Sequence, residues 1–435
     1  MQLGVFLFGN VDMPDAGYAG PEPQDRRYGQ ADFVKHYDDC FAYAAAAENL
    51  GYDALWLTEH HFQHEGYEVV PNTLLLSAML AMKTARIKLG GMFHVLPQWH
   101  PLRFAEDFAM ADVVTRGRMI CGIGRGTVPR ESTALGAQMG WGDSPDDLYN
   151  RELFEEQVAV IKKAWYNETF SHRGKHYTFP ADGLNDRGRS VTSLTLIPKP
   201  WQTPVEIWQP VTSPKTYDYV AREGHKAVYW MMSIPRLRQG WRLYQDRYER
   251  HHSVSLRRGE HRMLVINVTI GDSLEHGKAI ARNGHDEFWR FLAPYGRQVN
   301  YLDEQGKSWP NSRYPSLEES IEQGTWVVGS GSQVAERLAW FQREFGVEHL
   351  TIFPHLPGMD RAQVIDQLER FARDVTPVLQ AQAGAIEAAG PGAVDLAGAA
   401  VSAIEGHQAS DHEATGHQES HATPANAPAA SAPAR

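Results

Sequence analysis

The sequence predicts a (β/α)8 barrel, and three observations predict it. Short β-rich runs alternate with longer amphipathic segments from the first residues onward, the pattern of parallel strands joined by helical crossovers. Eight such runs occur, near 2–9, 53–59, 87–95, 118–124, 205–210, 226–231, 262–270 and 349–354. Polar or glycine-bearing clusters follow several of them, at the strand ends where barrels of this kind place functional groups.

The first run, Leu3 to Phe8, has no basic leader and breaks at Asn10-Val11-Asp12, so it reads as a buried strand instead of a signal peptide. The first helix, near 32–50, carries Phe33, Tyr37, Phe41, Ala44 and Ala45 on one face and is closed by Gly51. Further helical periods lie near 72–84, 101–115, 146–166, 214–223, 234–250, 273–294 and 332–345, with a last one at 361–380. Eight strands with interleaved helices point to a closed TIM barrel, not an open doubly wound sheet. Segments 168–204 and 296–325 are too long for connectors and read as insertions capping the C-terminal face.

From about residue 381 the composition turns to Ala, Gly, Pro, Ser and His without apolar periodicity. The expected organisation is a barrel domain over 1–382 and a low-complexity disordered tail over 383–435. The tail histidines His407, His412, His417 and His421 read as solvated residues, not a metal site.

At 435 residues, one enlarged barrel accommodates the chain, and 42% hydrophobic with 22% charged residues is the make-up of a globular enzyme. A net charge of -11 excludes a sequence-independent grip on nucleic acid, which needs a dense Lys/Arg face. Cys40 and Cys121 are the only cysteines, too few for a disulfide framework, and no apolar run is long enough to span a bilayer. The expectation is a soluble cytoplasmic protein without membrane or nucleic-acid partners.

The second strand delivers Thr58-Glu59-His60-His61-Phe62 at its C-terminal end. An imidazole there can serve as acid, base or donor because its pKa lies near working pH. Paired histidines also suit a satisfied structural role or a metal, although no H-E-x-x-H helix is present. After the third strand, Gly90-Gly91-Met92-Phe93 places two glycines beside a bulky apolar pair, geometry suited to a flat ligand or to tight barrel packing.

The fourth strand ends in Gly122-Ile123-Gly124-Arg125-Gly126. It is not a dinucleotide fingerprint, since Thr127 stands where the third glycine belongs and Pro129 interrupts the helix. An Arg between glycines at a strand end suits a phosphate, through its planar two-donor fork, or a surface ion pair. After the fifth strand, Ser213 and Pro214 make a helix start whose free N–H groups cap the helix or bind an anion.

Together these residues resemble the bacterial luciferase-like monooxygenases, on the FMN-using, luciferase α-subunit side of that family. The matching segments are Leu50-Gly51-Tyr52-Asp53 through Trp56-Leu57-Thr58-Glu59-His60-His61-Phe62 and Val95-Leu96-Pro97 with His100-Pro101 and Ala105-Glu106-Asp107. Gly117-Arg118 and Gly122 to Gly126 continue the pattern in the same order. The resemblance spans roughly 380 residues and after residue 230 rests on strand-helix rhythm alone.

It implies a flavin-dependent monooxygenase, usually dimeric, that takes reduced FMN from a separate flavin reductase and uses O2 to form a C4a-peroxide that oxygenates a small, mainly apolar substrate. His60 matches the catalytic histidine, with Glu59 beside it. Met92-Phe93 falls at a non-proline cis peptide against the flavin ring. Arg125 matches the phosphate-binding arginine, and Thr212-Ser213 lies on the segment whose backbone grips phosphate. Glu131 takes the place of an acidic residue near the flavin. Gly124, also beside the cofactor, stands where the luciferase α subunit has a reactive cysteine, so light emission is not carried over.

Tyr18, Tyr28, Trp99, Trp141 and Trp230 are candidate walls of an apolar pocket or core aromatics. Two other readings compete: a deazaflavin-dependent hydride-transfer enzyme of the same superfamily, and a barrel metallohydrolase using His60 and His61.

Overall fold

The computed structural model of the chain describes residues 1–140 and 144–389. The eight expected strands all form. They are β1 (Gln2–Leu7), β2 (Ala54–Leu57), β3 (Lys88–Gly91), β4 (Met119–Gly124), β5 (Ile207–Pro210), β6 (Lys226–Trp230), β7 (Arg262–Gly271) and, after the additional β8 (Trp326–Ser330), β9 (His349–Phe353). All pair in parallel in the order β5-β6-β7-β9-β1-β2-β3-β4, and the register Ile207↔Cys121, Trp208↔Gly122 closes the ring. Burial on both faces explains the near-continuous apolar runs, as in Ala-Leu-Trp-Leu of β2 and in β7, which is buried along its whole length.

Strand β8 was not expected. It takes over where β9 leaves off: β9 pairs with β7 from Met263 to Asn267, and β8 pairs with it from Asn267 to Gly271. Its Trp-Val-Val run is a continuous apolar signal too short to separate from the helix that follows. Strand β3 stops at Gly91 rather than running to 95. The chain bends at Met92–Phe93, whose peptide bond is cis, and only His94 and Val95 pair again, with Ile123 and Gly124.

The expected helices form near their positions, and two further short ones, at Pro129–Ala134 and Leu317–Glu322, were not expected; the first starts at Pro129, the residue read from the sequence as interrupting a helix. Helix α1 (Gln30–Asn49) ends at Gly51, which adopts φ +86°, the left-handed turn a side chain disfavours. Helices α2 (Thr73–Ala81) and α3 (Pro101–Val114) pack side by side on the outside of the barrel. Helices α4 (Pro129–Ala134), α5 (Pro145–Tyr166) and α6 (Pro214–Arg222) each begin with proline, which loses no hydrogen bond in a first turn. Helices α7 (Ile234–His252), α8 (Leu274–Leu292), α9 (Leu317–Glu322), α10 (Gly331–Phe345) and α11 (Arg361–Arg370) follow.

Helix α12 (Thr376–Ala389) runs past residue 382, into the stretch expected to be tail. Its Ala-rich sequence has the highest intrinsic helix propensity, which absence of apolar periodicity conceals. Residues 390–435, with the tail histidines, lie outside the described residues.

The barrel core is aromatic toward the C-terminal ends of the strands. Phe6 meets Trp230 and Phe353 edge-on at 5.5 and 5.1 Å between ring centroids. Insertion 168–204 forms two short antiparallel ribbons, His172–Arg173 with Thr178–Phe179 and Asn185–Asp186 with Arg189–Ser190. Among the described residues, no helix is long and apolar enough to cross a membrane.

Candidate active site

A cleft opens at the C-terminal ends of the strands and encloses about 1220 Å³, solvent at its mouth included. Its wall includes Glu59, His60, Met92, Phe93, Gly124, Arg125, Glu131 and Thr212, so eight residues singled out in the sequence converge on one place. Ser213, the ninth, does not line it. The Ser213 hydroxyl instead accepts the Thr216 amide at 3.3 Å, capping α6, and Thr216 reaches the cleft in its place.

His60 lies between two buried carboxylates. Its Nδ1 is 2.9 and 3.2 Å from the two oxygens of Glu131, and its Nε2 is 3.1 Å from Oε2 of Glu68. Burial opposes the charge on the ring, but Glu68 and Glu131 outweigh it and hold His60 up at about 9. Glu131 is oriented by the Gln63 side-chain amide, which donates to it at 2.7 Å. Burial pushes Glu131 up, and His60 and Gln63 more than reverse this, leaving it below its usual range. Burial also pushes Glu68 up, to about 8, against the pull of His60.

Glu59 has a bracing part. It accepts Trp99 Nε1 at 2.8 Å and the Val95 amide at 3.3 Å, with His94 Nδ1 at 3.3 Å. Burial raises a carboxylate, yet these donors and the neighbouring histidines bring Glu59 down to about 2. Its charge ties the end of β2 to the Met92–Phe93 bend, and His61 stands 3.7 Å from its Oε1.

The bend forms one wall. Glycine is required at 122, because a Cβ there would stand 2.1 Å from the Gly91 carbonyl oxygen. At Gly124 a Cβ would approach Phe93 Cβ to 3.2 Å, a tight fit on the same wall. Gly126, at φ +85°, turns the chain out of β4 toward Thr127.

Arg125 is half-buried at the rim, its Nη1 donating to Asp147 Oδ1 at 3.0 Å and Asn150 Oδ1 at 3.3 Å, both from the first turns of α5. These contacts use one nitrogen of the fork. With the Thr212 and Thr216 side chains and the α6 N-terminus alongside, the donor set suits a phosphate. Phe6, Val211, Val228, Trp230, Met231 and Met232 make an apolar part of the wall, and Thr58, Glu68, Gln209, Arg297 and Asn300 add further polar groups.

Sequence reasoning missed Glu68, Thr216, Met231, Met232, Arg297 and Asn300. Met231 holds φ +54° directly after β6, a conformation rare outside glycine. Of the five aromatic candidates, Trp230 lines the cleft and Tyr18 lines a separate hollow. Trp99 donates to Glu59, Tyr28 packs on the core, and Trp141 lies outside the described residues. No set of three or more His, Cys, Asp or Glu with metal-binding geometry occurs among the described residues.

An open cleft at the strand ends, a donor set suited to an anion at one side and a histidine set between two carboxylates stand together at the C-terminal face of the barrel, where enzymes of this fold place their sites. The luciferase-like monooxygenase family matches residues 1–349, and the chain belongs to that family. Among curated relatives, 3,6-diketocamphane 1,6-monooxygenase of Pseudomonas putida is 25% identical over 352 residues, covering 77% of this chain and 90% of the relative. The oxygenase component of the flavin-dependent trigonelline monooxygenase of Acinetobacter baylyi is 24% identical, over 78% of this chain and 89% of its own. An F420-dependent glucose-6-phosphate dehydrogenase of Amycolatopsis mediterranei is 24% identical, over 79% and 95%. A solved type II Baeyer-Villiger monooxygenase, the oxygenating constituent of 3,6-diketocamphane monooxygenase in complex with FMN, shares the fold with TM-score 0.69. Its sequence identity is 21%, over 87% of this chain and 98% of that one.

Proposed function

We propose that this protein is the oxygenase of a two-component FMN-dependent monooxygenase, using reduced FMN from a separate flavin reductase and O2 to oxygenate a small organic substrate. The observation that carries the reading is the braced His60, set in the cleft that also holds Arg125, Thr212 and Thr216.

The residues fit the cofactor. Arg125, Thr212 and Thr216 would hold its phosphate, and Met92, Phe93 and Gly124 would back its ring. Bound reduced FMN supplies the electrons that activate O2. The chain supplies the rest. His60 holds a proton above neutral pH and can hand it on from Nε2, the nitrogen facing Glu68, while Glu131 fixes the ring through Nδ1. Glu59 positions the Met92–Phe93 wall, and Trp230, Met231 and Met232 keep water from the reacting end.

F420 is the cofactor named for the Amycolatopsis relative, so the cofactor test is comparative. Reduced FMN and reduced F420 are titrated against the purified protein with O2 consumption followed. Tight FMN binding with O2 uptake supports the reading; F420 binding with none overturns it.

The homodimer expected of the family has a fitting surface. Leu75, Met79 and Met82, in and directly after α2, and Met110 and Val114 of α3 are exposed apolar side chains on adjacent helices, Met82 to 81% and Val114 to 64%. We place the subunit contact there.

A further inference from the structure

We infer that the substrate of this site carries a carboxylate, and that Arg297 is the residue that binds it, leaving the apolar body of the substrate against Trp230, Met231 and Met232. The inference rests on the monooxygenase reading above and adds the substrate class.

Arg297 comes from the second insertion. Gly296, at φ +70°, turns the chain into a short 3-10 turn, Arg297–Asn300, that puts Arg297 and Asn300 on the cleft wall. The turn is anchored at three points. The Asn300 carbonyl accepts the Ser233 amide at 3.1 Å, Val299 O accepts Arg236 Nη2 at 3.0 Å, and the Gln298 amide donates to Asn311 O at 3.0 Å. A guanidinium on so fixed a turn is preorganised, and little rotamer freedom is left to lose on binding.

It is also under-used. Its Nη2 has one long contact, 3.4 Å to Thr127 Oγ1, and its Nε is shielded from solvent with no hydrogen-bond partner. Burial lowers its pKa, and the carboxyl facing it, Glu68, opposes that without forming an ion pair. A shielded, unpaired Arg donor is costly unless an acceptor arrives. The acceptor belongs at the reacting end, because Glu68 is also the residue 3.1 Å from His60 Nε2, whereas Arg125, Thr212 and Thr216 make up the phosphate side. A fixed, forked donor beside the apolar stretch Trp230, Met231 and Met232 suits a monocarboxylate with a hydrocarbon or aromatic body.

The test uses the full-length protein loaded with oxidised FMN, with benzoate and octanoate as probes and benzamide and octanamide as neutral counterparts, binding being read by calorimetry. At least one acid should bind at least 10-fold more tightly than its amide. Arg297→Ala should weaken that acid by about 10- to 100-fold, the range of a charge-assisted hydrogen bond. The amides and FMN should bind as before, and Arg297→Lys should recover part of the loss.

Acids and amides binding alike to wild type would overturn the inference, whatever the variants do. So would Arg297→Ala weakening FMN instead of the acids, which would give Arg297 to the cofactor. A wild type that binds neither oxidised nor reduced FMN would bring down the monooxygenase reading itself, and the inference with it, a result distinct from the other two.

Discussion

Replacing Glu131 with Gln separates the two halves of the His60 brace. The carboxylate is buried, its oxygens stand 2.9 and 3.2 Å from Nδ1, and Gln63 donates to it at 2.7 Å. Gln is nearly isosteric and can still offer one acceptor, so the change removes the charge and leaves the shape. A hydrogen bond to a charged group is worth about 1.5–3 kcal/mol against about 0.5–1.5 for a neutral one, so the imidazolium loses roughly 1–1.5 kcal/mol, close to one pKa unit. Glu68 keeps its side of the brace, so His60 should fall from about 9 by about one unit and no further. The assay is the pH profile of kcat/KM for O2-dependent substrate turnover with a flavin reductase supplying reduced FMN. The basic limb should move down by about one unit in Glu131→Gln, and a limb that stays in place would refute the assignment of that limb to His60.

His60→Ala should retain FMN binding and lose about 10²-fold or more in product formation, the scale of a lost acid-base group, and unchanged turnover would remove that role. Because the folded pKa of His60 is raised, its stabilising contribution is complete below about 6.5, the ordinary imidazole value, and is lost as pH climbs through about 9. Thermal unfolding should show that part of the decline reduced in His60→Gln. Arg125→Ala should weaken FMN binding by about 10-fold or more, read by fluorescence titration, with the far-UV circular dichroism unchanged. Replacing Met82 and Val114 with Asp should convert a dimer to monomer in light scattering, and a wild type already monomeric would contradict the proposed contact.

The barrel was legible because its strands are buried on both faces and its helices on one, so the two periodicities alternate plainly along the chain. What escaped were elements whose signal is local and ambiguous. Trp326–Ser330 is an apolar run pressed against a helix start, and α12 continues into an alanine-rich stretch whose composition reads from the sequence as tail. In the site, the glycines, Arg125 and the histidine pair announced themselves by standing at strand ends. Glu68 did not, being one acidic residue in the Gly66-Tyr67-Glu68-Val69-Val70 loop, brought to His60 by the return of the chain, where the His60 amide bonds Val70 O. Arg297 sits in an irregular insertion whose sequence gives no periodicity to place it. Ser213 shows the reverse: its helix-start signal was sound, and the hydroxyl is consumed by the cap it forms.

The central claim is that one cleft binds FMN with its phosphate against Arg125, Thr212 and Thr216 and its ring against Met92–Phe93, within reach of His60. A crystal structure of the protein soaked with FMN tests it most directly. Density for the phosphate on those three side chains, with the ring along the bend, is the predicted result. A nucleotide bound elsewhere, or a cleft that stays empty at saturating FMN, would contradict it.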